Sequence, residues 1–64
     1  MANFTRQVKN LLLNNGCKFV RQGKGDHEIW YSPITGKRFS IDGKITKRTS
    51  ANAYLRNAGI KEKV

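Results

Sequence analysis

Sixty-four residues allow one domain, expected to span 1–64, in which folding buries only about 60% of the surface that the unfolded chain exposes. Thirteen Lys and Arg against four Asp and Glu give a net charge of +9, beyond what solubility asks, so the expected partner is a polyanion and first of all a nucleic acid. A lone Cys17 and a lone His27 exclude an internal disulfide and leave no structural zinc site, and the lack of an apolar signal core or of about 20 successive apolar residues points to a cytoplasmic protein with no membrane partner.

Phe4, Val8, Leu11 and Leu12 recur at the spacing that collects apolar side chains on one stripe, which predicts a helix over about residues 4–14. Asn3 or Thr5 is placed to cap its start, and Gly16, after Asn14 and Asn15, to end it. From Cys17 the period changes. Residues 17–22 read as a strand closed by the turn Gly23-Lys24-Gly25-Asp26, residues 27–32 as a second strand, and Arg38 to Ile41 as a third after a turn from Pro33 to Lys37. Cys17 itself reads as a small buried apolar residue rather than a reactive thiol.

Asp42-Gly43-Lys44 ends this meander, and Thr46 is placed to cap a second helix over about residues 47–58. Ala51, Tyr54, Leu55 and Ala58 share one face of it, Arg48, Asn52 and Arg56 the other, and Gly59 stops it. Lys61 to Val64 is expected to fray. The order α-β-β-β-α predicts an α+β fold in which two helices pack on one face of a three-stranded antiparallel sheet and the other face stays wet.

His27 meets the second strand where the Gly-rich turn ends, beside Lys24, and an imidazole both takes and gives a proton near neutral pH. RNA carries its own nucleophile. Its cleavage needs a base for the 2′-hydroxyl, cations at the phosphorus and an acid for the leaving 5′-oxygen, none of which requires a metal. Lys18, Arg21 and Lys24 are the candidate phosphate contacts, with Arg48 and Arg56 as a second basic stripe. Trp30 and Tyr31 point to opposite faces of their strand, so one fills the core; Tyr31 shares parity with His27 and is the candidate for base stacking. Asp26 and Glu28 share parity as well and are the remaining place for a cation, but two carboxylates fall short of a two-metal site. One histidine in a basic domain is equally compatible with an RNA-binding module without catalysis, whereas the spacing of a helix-turn-helix repressor is absent.

Over nearly its whole length the chain resembles the HicA toxin ribonucleases of bacterial toxin-antitoxin pairs. The likeness rests on a first helix ending in Gly16, on Phe19-Val20-Arg21-Gln22, on Gly25-Asp26-His27, and on a closing segment from Thr49 to Ile60 that carries Ala58-Gly59-Ile60. It implies a fold like that of the double-stranded-RNA-binding domain and an mRNA-cutting activity without cofactor or metal, with His27 at the place of the catalytic histidine in a Gly-Ser-His motif. A HicB-like antitoxin that covers the active face is the implied protein partner. Three positions differ from the pattern: Asp26 stands where Ser is usual, Glu28 where a second His is common, and Asp42-Gly43 where Pro and another His often occur.

Overall fold

The computed structural model describes residues 3–64, in the order α1 (Thr5–Asn14), β1 (Lys18–Gln22), β2 (His27–Ser32), β3 (Lys37–Asp42) and α2 (Arg48–Asn57). The expected α+β arrangement is present: the strands form one antiparallel meander in the order β1-β2-β3, and both helices lie on one side of it. Among the described residues no helix is long and apolar enough to cross a membrane.

The apolar stripe of α1 places Val8 and Leu12 in the core with Leu11 and Phe4 at its border, and α2 adds Ala51, Leu55 and Ala58. Trp30 and Ile41 meet them from the sheet, and Cys17, Ile45 and Ile60 close the gaps between elements. Each large side chain so buried contributes about 1.5–3 kcal/mol. Cys17 is buried and unpaired, as a small apolar residue would be.

Both helices end the same way. Gly16 and Gly59 adopt positive φ, and the amides of the next residues, Cys17 and Ile60, reach back to Leu12 O and Leu55 O at 2.9 Å each, which satisfies last-turn carbonyls and delivers an apolar side chain to the core. Their starts differ from expectation in part. At α1, Asn3 Oδ1 accepts the Thr5 amide at 3.0 Å, whereas the Thr5 hydroxyl is drawn away to accept the Ile45 amide at 2.8 Å. At α2 the cap position is Lys47, not Thr46, and no side chain caps it; the first helical bond runs from the Ala51 amide to Lys47 O at 3.0 Å. The last residues do not fray: the Val64 amide donates to Asn52 Oδ1 at 2.9 Å and its side chain packs against the core.

Candidate functional site

Strand pairing sorts the sheet into two faces. Glu28, Trp30 and Ser32 lie opposite Ile41, Phe39 and Lys37 on the helix side, while His27, Ile29 and Tyr31 lie opposite Asp42, Ser40 and Arg38 on the open side. In a regular strand Lys18 and Arg21, three apart, would face opposite ways. A bulge at Val20 removes that difference: Lys18 pairs with Tyr31 and Arg21 with Ile29, so both basic residues join the open face. Bulges often re-aim a side chain in this manner, and here the result is one surface carrying Lys18, Arg21, His27, Tyr31 and Arg38.

His27 opens β2 with 53% of its side chain exposed. Its backbone is tied into the preceding turn, since its amide donates to Lys24 O at 3.2 Å and its carbonyl accepts from the Gly23 amide at 2.8 Å and from Gln22 Nε2 at 3.0 Å. Its ring is held from the other hairpin: Nδ1 lies 3.0 Å from Asp42 Oδ1, the carboxylate directly across the sheet. The same carboxylate acts on Tyr54 of α2. Burial first, and then the hydrogen bond and charge of Asp42, raise that phenol above its ordinary value, although the Asp42 amide acts in the opposite sense. Gly43 packs so closely on the Asp26 carbonyl that a Cβ there would force the two turns apart.

Asp26 and Glu28 do not form a pair. Asp26 sits in the turn, exposed, whereas Glu28 is on the helix side, bonded to Lys9 Nζ at 2.9 Å and to Trp30 Nε1 at 3.0 Å. Burial alone would push the Glu28 carboxyl up, but the hydrogen bonds from Lys9 and Trp30 and the Lys9 charge hold it below its usual value. Among the described residues no three His, Cys, Asp or Glu side chains gather as metal ligands would.

Of the residues singled out in the sequence, His27, Lys18, Arg21 and Tyr31 therefore come together, with Lys24 on the adjoining turn. Tyr31 is 37% exposed and Trp30 is in the core, where it meets Phe19 edge-on at 6.0 Å. Arg48 and Arg56 stand apart on α2, in the helix layer, and the Arg48 guanidinium lies 5.5 Å over the Phe4 ring. Two residues of the open face were not anticipated, Arg38 and Asp42. Counting outward from the four-residue turn 33–36 pairs Ser32 with Lys37 and, five residues further, His27 with Asp42, so the loop length alone carried that signal.

A family model described as "HicA toxin of bacterial toxin-antitoxin" matches residues 5–60. No curated protein and no solved structure matches the chain.

Proposed function

The chain belongs to the HicA toxin family, and on that premise we propose that it is a toxin endoribonuclease, one domain over residues 1–64, that cuts mRNA with His27 as general acid or base and so slows translation. The observation that carries this reading is the exposed imidazole set on an open sheet face among Lys18, Arg21 and Arg38. Such a face holds the phosphates of an extended strand, while Tyr31 offers a ring on which a base can stack. Lys24 extends the basic surface along the turn, and Arg48 and Arg56 form a second stripe for the flanking RNA.

The 2′-hydroxyl of the substrate is the nucleophile. As its oxygen bonds to phosphorus, a base removes the proton; as the bond to the 5′-oxygen breaks, an acid supplies one; the products are a cyclic phosphate and a free 5′-hydroxyl. This chemistry draws on proton transfer and on cations at the phosphate, so it asks for no metal and no cofactor. A HicB-like antitoxin that covers the open face would block RNA and proton transfer together. A second reading, a non-catalytic RNA-binding module, is favoured by one observation: the carboxylate of Asp42 stands 3.0 Å from the imidazole, where a phosphate must approach.

The test is cleavage of RNA by the wild type and by His27→Ala in excess chelator. Wild type cuts at an unchanged rate, a substrate with 2′-deoxy at the scissile position resists, and the variant loses about 10²- to 10⁴-fold in rate while binding RNA as before. Activity that survives in His27→Ala but vanishes with chelator overturns the mechanism. Wild-type binding without cleavage establishes the second reading.

A further inference from the structure

Among the described residues Asp42 supplies the only carboxylate that the strands place on the open face, and it stands at the imidazole. We propose that Asp42 is a positioning residue: its Oδ1 accepts a hydrogen bond from Nδ1–H of His27, fixes that tautomer and leaves Nε2 as the atom that exchanges protons with RNA. The proposal rests on the reading of His27 as the proton-transfer group and adds which nitrogen acts and what holds it.

Two observations converge on it. The 3.0 Å separation of Nδ1 and Oδ1 joins directly paired residues of β2 and β3, so the ladder sets it rather than chance contact of two long side chains. The Gly43 backbone seats against that of Asp26, which locks the end of β3 to the turn from which His27 emerges. The other charged groups around the imidazole offer no equivalent partner: Arg21 is its basic neighbour on the open face from β1, Lys24 and Asp26 lie in the turn, and Glu28 points into the helix layer.

In the neutral ring, then, Nδ1 bears the proton and Nε2 carries a free electron pair. Acting as base, Nε2 takes the 2′-hydroxyl proton as the bond from that oxygen to phosphorus forms; acting as acid, protonated Nε2 returns a proton to the 5′-oxygen as its bond to phosphorus breaks. In either role Nδ1–H stays on Asp42, and the positive imidazolium rests against a negative charge.

Because His27 is the one histidine, a ¹⁵N spectrum of the imidazole reads a single ring and needs no activity. Wild type at a pH where the ring is neutral is expected to show the proton on Nδ1, and Asp42→Ala to move it to Nε2. In the same variant kcat for RNA cleavage falls by about ten- to a hundredfold with KM little changed, less than the loss on removing the imidazole itself. An amide spectrum like that of wild type shows that the fold is kept. A wild-type ring protonated on Nε2 overturns the assignment with no variant needed, and so does a tautomer that stays put in Asp42→Ala. A tautomer that switches while kcat holds leaves Asp42 without a part in the reaction. Failure of the catalytic reading looks different, because His27→Ala then cleaves as wild type does whatever the ¹⁵N spectrum shows.

Discussion

Glu28 and His27 are neighbours in sequence with opposite fates, because successive residues of a strand face opposite ways. One becomes a structural anchor and the other a surface group. Glu28 joins α1 to β2 through Lys9 and Trp30, with only 15% of its side chain exposed. Its carboxyl, held below the ordinary 4.5 in the folded chain, binds a proton less readily there than in the unfolded one. The contribution to stability is therefore present above pH 4.5 and is lost as pH falls through the lower, folded value. Urea midpoints of the wild type should hold from neutral pH down to about 5 and then decline. Glu28→Gln keeps the shape and an acceptor for the Trp30 indole, so its midpoint starts lower but declines less. An equal decline in both proteins would mean that Glu28 is not the source of the acid sensitivity.

Between elements, Ser32 ties the sheet to the second helix. Its hydroxyl is fully buried, donates to the Ala58 carbonyl at 2.6 Å and accepts the Ile34 amide at 3.2 Å, so it fastens the β2–β3 turn to the end of α2. Gly59 completes that corner: it has φ +79°, and a Cβ there would run into the Ile34 and Thr35 side chains. Ser32→Ala removes the partner of the Ala58 carbonyl in a buried bond and of the Ile34 amide in a part-buried one, and a loss of about 1–3 kcal/mol is expected from urea unfolding. A change under about 0.5 kcal/mol would mean that water replaces the hydroxyl.

The sequence carried the elements themselves well, for reasons visible in them. The stripe of Phe4, Val8, Leu11 and Leu12, and glycines in position to take positive φ, mark α1 and both helix ends because these are local demands. Most of the misses depend on residues distant in sequence, the start of α2 being the local exception. Thr46 offers a hydroxyl, yet the extended backbone at Lys47 starts α2 one residue later. The C-terminal residues are polar enough to fray but find Asn52 and the core. The bulge at Val20 has no glycine to announce it, and it alone decides that Lys18 and Arg21 share a face. The parity of His27 and Tyr31 was legible; the carboxylate facing His27 came from 15 residues downstream, where Asp42 read merely as a strand stop.

At the scale of the whole molecule, the net charge of +9 sets the range of attraction and the face sets where it acts. If RNA lies across the open sheet, Lys18, Arg21, Lys24 and Arg38 meet about four phosphates and release their condensed counterions. For a single strand each contact contributes about −0.7 to the slope of log Kobs against log salt, so the slope should be near −3 and affinity should drop about 60-fold on raising salt fourfold. Lys18→Ala and Arg21→Ala should each reduce the magnitude of the slope by about 0.7. Arg48→Ala, whose guanidinium is already engaged over Phe4, should change it less. Fluorescence anisotropy with a labelled, 2′-deoxy-blocked RNA measures binding apart from cleavage. The Tyr31→Ala variant separates the contributions further: loss of a stacking ring weakens binding by about 1–3 kcal/mol at every salt concentration and leaves the slope alone, because a base released from an aromatic ring frees no counterion. Slopes that respond to Arg48 and Arg56 but not to Lys18 and Arg21 would move the RNA to the helix layer, away from His27, and with it the case for cleavage by this face.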